Sequence, residues 1–281
     1  MTGKPSKYQT YMSVQIARSL VSLLWLLKSF RRVVNQRKVL TMIAIKTSIK
    51  SILIWVLTMT TISAVMPAFA TDKLSNKERA IVPIAAFTAS GDVEKLKISL
   101  NDGLESGLTI NETKEVLAQL YAYAGFPRSL NGLAAFMEVV EVRKNRGITD
   151  ILGRESTPLT ADKSSLELGS QNQTTLVGMQ VKGPLFDFSP QIDQYLKAHL
   201  FGDIFARDLL TWKQREIATI AALANIKGVN SQLAAHYNIS MNNGVSAEEL
   251  NDFILVLKQC CGESNANNAQ SVLDSVLDAK N

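Results

Sequence analysis

Two cysteines and two histidines are all that the 281 residues hold of these types, and the scarcity excludes much chemistry. Cys260 and Cys261 are neighbours, so they make neither a C-x-x-C redox or metal pair nor an ordinary low-strain disulfide, and a helix points them in different directions. Small hydrophobic packing is the role this placement suggests. His199 has no obvious acidic or cysteine partner in its sequence surroundings, so no metal site is expected. A Gly-rich phosphate loop and a Ser-His-Asp elbow are also missing.

Acidic residues are absent from the first 70 positions, which carry ten Lys and Arg. The net charge of +5 therefore belongs to the beginning of the chain; the remainder has 20 basic against 25 acidic residues, a balance of −5. Nucleic-acid binding by the folded part loses its electrostatic argument. Residues 42–70 read as an export signal, with Lys46 and Lys50 ahead of an apolar stretch that closes on Pro67 and Ala68-Phe69-Ala70. The apolar run falls short of the roughly 20 residues a membrane span needs, so cleavage after Ala70 is favoured over an anchor. Membrane contact is then confined to the leader, and the expected location is periplasmic or secreted. Residues 1–41 are either a basic upstream extension, with an amphipathic stretch over 13–30, or a start-site artefact, which is the favoured reading.

What the chain does have is an internal repeat. Leu74, Arg79, Ile81 and Ile84 answer Leu210, Arg215, Ile217 and Ile220; after a one-residue insertion near Asn230, Leu96, Gly107, Glu112, Leu120, Gly125 and Asn131 answer Leu233, Gly244, Glu249, Leu257, Gly262 and Asn268. Four capping boxes, Ser75 with Glu78, Thr109 with Glu112, Thr211 with Gln214 and Ser246 with Glu249, mark helix starts. Gly91, Gly107, Gly125 and Gly147 follow apolar-periodic runs and suit helix ends. The first repeat is therefore predicted as helices over 76–90, 93–106, 110–124 and 128–146, with Pro83 expected to kink the first. The expected fold is all-α, with a first domain at 71–147, a polar linker at 148–185 and a second domain at 186–281. A short strand is predicted at 174–181, and an extra helix from Pro190 onward.

The string LSNKERAIVPIAAFTASGDVEKLKISLNDGLESGLTINETKEVLAQLYAYAGFPRSLNGL resembles the carboxymuconolactone decarboxylase family in its L-S-x-x-E-R opening, its S-G-L-T turn and its E-V-x-x-Q-x-x-x-Y-A-G-F-P segment. The second repeat keeps Q-R-E-I-A-T-I-A-A-L, Q-L-x-x-H and N-N-G-V-S. The resemblance implies an alkylhydroperoxidase D-like helical fold, commonly trimeric or hexameric, with the tandem chain supplying two such domains; a homo-oligomer, with a trimer favoured, is expected. One branch of the family decarboxylates or isomerises lactone acids without a cofactor. The other is a thiol peroxidase with a Glu followed by Cys, Cys and His.

The peroxidase pattern fails here. Glu115 matches the family Glu, but Pro127, Leu130 and Ala134 follow where Cys, Cys and His are required; in the second repeat the four positions are Asp252, Ser264, Asn267 and Ser271. For the decarboxylase branch, His236 matches a family His whose counterpart in the first repeat is Ser99. Glu115 and His236 are therefore the candidate catalytic residues, sharing one site by general acid–base chemistry, with Tyr123, Arg128 and Asn131 as candidate substrate-binding residues. The alternative places Glu115 as a first-turn helix acid and His236 on a polar face. Two functions result: a cofactor-free enzyme acting on a small carboxylated or lactone-like compound, or a noncatalytic helical module for ligand binding or assembly.

Overall fold

The structure, a computed structural model, describes residues 73–159 and 162–280. The leader reading, its cleavage site and Thr71 lie outside these residues. The described part is helical throughout and belongs to one compact unit. Helices α1 (Asn76–Ser90), α2 (Val93–Glu105), α3 (Ile110–Gln119), α4 (Tyr121–Ala124) and α5 (Phe126–Asn145) follow the predicted positions closely. Then come α6 (Ser165–Val177), α7 (Pro184–Phe188) and α8 (Pro190–Tyr195), which runs straight into a π-helix (Leu196–Ile204). The second repeat supplies α9 (Trp212–Leu223), α10 (Asn230–Asn242), α11 (Ala247–Cys261) and α12 (Glu263–Asp278).

All four expected capping boxes form, each with the side chain of the cap accepting from the third amide and that residue's side chain answering the cap's own N–H. Helix α1 continues through Pro83. Beyond its first turn it is mostly apolar, with Ile81, Val82, Ile84, Ala85 and Ala86 fully buried, and α9 matches it with Ile217, Ala218, Ile220, Ala221 and Ala222. Helices this apolar must be largely enclosed by others, and these two pack on one another. Alanines on both let the axes approach closely, so one core holds residues of both repeats.

The region expected as a polar linker contains a helix. Residues 174–181 are not a strand: α6 covers them as far as Val177 and ends at Gly178 in the left-handed conformation. The physical reason is the Ser164–Glu167 capping box, which nucleates α6 in a stretch of otherwise polar composition. Helix α6 packs chiefly against the π-helix. A Cβ on Gly169 would fall 1.7 Å from the Lys197 carbonyl oxygen, and one on Gly202 would fall 2.1 Å from that of Ser165. Two glycines thus set the crossing. Ahead of α6 the chain is tied down: Ile110 and Asn111 amides donate to the Ile151 and Leu152 carbonyls, and Arg143 donates to Asp150 at 2.8 Å.

Candidate functional site

Where α1 and α9 meet, each repeat's arginine takes the acid of the other. Arg215 on α9 donates through Nη2 to Glu115 Oε1 on α3 at 2.6 Å. Its counterpart, Arg79 on α1, donates to both oxygens of Asp252 on α11 at 2.5 Å. The environments differ, since the Arg215 side chain is fully buried and that of Arg79 is 33% exposed.

The Arg215 side carries an extended polar cluster. Arg207 also donates from Nε to both Glu115 oxygens, at 2.9 and 3.1 Å. Burial pushes the Glu115 carboxyl up, but hydrogen bonds from Arg207 and Arg215 overcome it and hold it below the ordinary glutamate value near 4.5. Arg215 Nη1 donates to Gln119 Oε1 at 2.9 Å, and Gln119 returns its amide to the Arg215 carbonyl and to Thr219 Oγ1. One turn from Thr219 lies Glu216, whose side chain is wholly buried; its Oε2 meets His236 Nδ1 at 2.8 Å. The imidazole is 13% exposed. Tyr123 sets its ring edge-on to that imidazole with centroids 5.6 Å apart.

Three buried polar atoms in this one cluster have no hydrogen-bond partner: Tyr123 Oη, Arg215 Nε and Glu216 Oε1. Burial, and next the nearby Glu216 charge, push the Tyr123 phenol well up; Thr219 and Arg215 pull the other way, Thr219 without a hydrogen-bond geometry. An unpaired buried polar atom costs about 1–3 kcal/mol. Grouping three of them singles this cluster out as the candidate site.

The five sequence-derived candidates are not all assembled. His236 and Tyr123 are together; Glu115 is linked by hydrogen bonds through Arg215 and Gln119 only as far as Thr219. Among the described residues no hydrogen bond joins Glu115 to His236; the carboxylate facing the imidazole is Glu216. Arg128 is elsewhere, with its guanidinium donating to the Ala89 carbonyl at the end of α1, and Asn131 is exposed. His199, expected to lack an acidic partner, meets Asp203 Oδ2 at 2.7 Å from Nδ1, because four residues along a helical segment bring the two to one face. No group of three or more potential metal ligands occurs among the described residues.

Sequence reasoning passed over Glu216, Gln119, Thr219 and Arg215. Glu216 had a signal: it is a charged residue inside an otherwise apolar helical stretch that must be buried.

Beside this network a second hydrophobic cluster closes over the site. Leu176 of α6 and Leu200 and Phe201 of the π-helix pack with Phe205 and Ile239, and Tyr123 and Trp212 pack against them. Phe205 also lies under the Arg215 guanidinium, 5.8 Å from ring centroid to Cζ. The α6–π pair is thus a cover over the His236 side. On the Arg79 side the positions answering Glu216, Thr219, His236, Gln119 and Tyr123 are Ala80, Pro83, Ser99, Val256 and Cys260. There the chain leaves a cavity of about 460 Å³ lined by these residues together with Arg79.

The carboxymuconolactone decarboxylase family model matches residues 59–138 and 190–275, together more than half of the chain. Over 71 residues the chain is 32% identical to an uncharacterized protein of Methanocaldococcus jannaschii, a match covering 25% of this chain and 66% of that protein. Over 93 residues it is 28% identical to the 4-carboxymuconolactone decarboxylase of Acinetobacter baylyi, covering 33% of this chain and 69% of the relative. These matches span about two thirds of each relative's length. With both matched segments falling on the helices that build the two arginine–acid pairs, the chain belongs to the carboxymuconolactone decarboxylase family.

Proposed function

We propose that this protein is a cofactor-free proton-transfer enzyme, a decarboxylase or isomerase, acting on a small carboxylated or lactone-like compound on the His236 side. The observation that carries the reading is the His236–Glu216 pair: a slightly exposed imidazole whose Nδ1 is engaged by a carboxyl with no solvent contact. With Nδ1 committed, Nε2 is the nitrogen left to exchange a proton with a substrate. Glu216 fixes the ring's tautomer and orientation, as a buried carboxyl beside a working imidazole does.

Decarboxylation breaks a carbon–carbon bond and leaves its electron pair on carbon, where it is delocalised into a conjugated carbonyl and finally takes a proton. In this reading His236 moves that proton. The Tyr123 phenol, kept protonated by burial, can donate a hydrogen bond to the developing oxyanion. Glu115 enters this proposal as the anion that holds Arg215 and Arg207, since its oxygens are occupied by both guanidiniums. The cover formed by α6 and the π-helix limits water around the reacting carbon.

We further read the chain as two covalently joined family units, exported through the leader and assembled as a homo-oligomer with a trimer favoured. The relative's printed name supplies the first probe, 4-carboxymuconolactone. Thermal-shift screening of the protein against this and other small lactones and carboxylic acids, followed by turnover with the hits in Glu216→Gln, tests the reading: a binding compound that Glu216→Gln turns over at the parent rate opposes it.

A further inference from the structure

The Arg79 side keeps the arginine–acid pair and loses the other members of the network. Ala80 and Ser99 stand where Glu216 and His236 stand in the other half, and Cys260 stands for Tyr123. The space is not filled by larger side chains. A cavity of about 460 Å³ remains, within the range of small-molecule sites. Trp212 and Ile239, which meet the cover over the His236 side, are answered here by Asn76 and Asp102, both on the wall of the open cavity.

Phe87, Val256 and Ala80 present apolar surface on the cavity walls, two cations, Arg79 and Lys95, stand beside them, and Asp102 is the one acid among the lining residues, accepting from Asn101. Arg79 uses only Nη1 on Asp252, so its remaining nitrogens have no hydrogen bond among the described residues. Lys95 lies over the Phe87 ring at 5.5 Å and reaches Asp92 at 3.2 Å. An apolar recess with cationic donors matches an anion carrying a compact apolar body.

We propose that the Arg79-side cavity is a noncatalytic receptor for a small organic carboxylate with an apolar body, bound through Arg79 and Lys95 and released unchanged. The proposal rests on the proposed function only in the class of ligand. Cys260 lines the cavity and so reports on it. Its thiol is pulled below the ordinary value, first by the hydrogen bond with Cys261, whose sulfur lies 3.0 Å away, against the expectation that neighbours on a helix point apart, while Cys261 is pushed up.

The test uses the full chain with benzoate as probe and benzyl alcohol as its neutral counterpart. Benzoate binding by calorimetry, and the rate of Cys260 alkylation by iodoacetamide read by mass spectrometry, are followed in parallel. Benzoate is expected to bind and to slow alkylation at least fivefold, and benzyl alcohol to do neither. Lys95→Glu, and Ile98→Trp at an exposed position on the cavity wall, should each weaken benzoate at least tenfold, while His236→Asn leaves it unchanged. No benzoate binding, equal binding of the alcohol, or binding that survives both cavity variants overturns the proposal. Loss of turnover with benzoate binding intact, as in His236→Asn, separates this site from the reacting one.

Discussion

Arg215 donates to Glu115 at 2.6 Å while its repeat counterpart Arg79 donates to Asp252 at 2.5 Å, so the two halves are fastened by exchanged ion pairs. Neither half has its own acid for its own arginine. This exchange explains why α1 and α9 share one core, and it sets an order of stability effects.

Removing Glu115 leaves a guanidinium with no solvent access. Breaking a buried pair in this way costs about 3–5 kcal/mol, so Glu115→Ala should destabilise strongly in chemical denaturation. Asp252→Ala frees Arg79 to reach water, and its cost should be about 1 kcal/mol. Equal losses at the two positions would contradict the unequal burial of the arginines.

The acid limb of stability follows from the same carboxylate. The folded-state value of Glu115 is depressed, so its contribution is complete above the ordinary value near 4.5 and is lost as pH falls through the lower folded value. Denaturation midpoints should hold from pH 7 to about 5 and then drop, and Glu115→Gln should flatten that drop. A curve of unchanged shape in Glu115→Gln removes this carboxylate from the acid transition.

The cover over the His236 side depends on two glycines. Gly169→Ala or Gly202→Ala places a methyl against a backbone carbonyl of the partner segment, and overpacking of this kind costs about 1–3 kcal/mol. Each should raise hydrogen exchange in α6 and the π-helix while α1 and α9 stay protected. Unaltered exchange in α6 would mean that the crossing tolerates a wider spacing.

Much of the fold was legible because its signals are local. Ser75, Thr109, Thr211 and Ser246 start their helices where the capping pattern places them, and the glycine ends follow. Helix α6 was missed because its polar composition hides a capping box, and its packing comes from Gly169, a residue that usually breaks helices. The site was half legible. His236 and Glu115 stand out by repeat comparison, but which acid faces the imidazole depends on how α9 lies between α3, α4 and α10, a nonlocal relation that spacing does not carry. Glu216 and Thr219 are three residues apart on α9, yet Thr219 meets Gln119 of the first repeat while Glu216 meets His236 of its own. Arg128 looked like a ligand anchor because it opens a helix; its carbonyl partner at Ala89 comes from a turn 39 residues earlier.

Processing is a separate expectation from sequence. Exported protein should begin at Thr71 on N-terminal sequencing, and retention of residues 42–70 would instead support an anchor.

The central claim is that His236 moves the proton under the control of Glu216. The measurement that tests it most directly is single-turnover kinetics, in heavy water, on a compound shown to bind the His236 side, comparing the parent protein with His236→Asn, Glu216→Gln and the double variant. General acid–base participation is worth about 10²–10⁴ in rate. Each single variant should lose turnover, and with it the rate at which solvent deuterium enters the product, on that scale, and the double variant little more than either, because the pair acts as a unit. Parent-level turnover with full deuterium incorporation in His236→Asn would contradict the account.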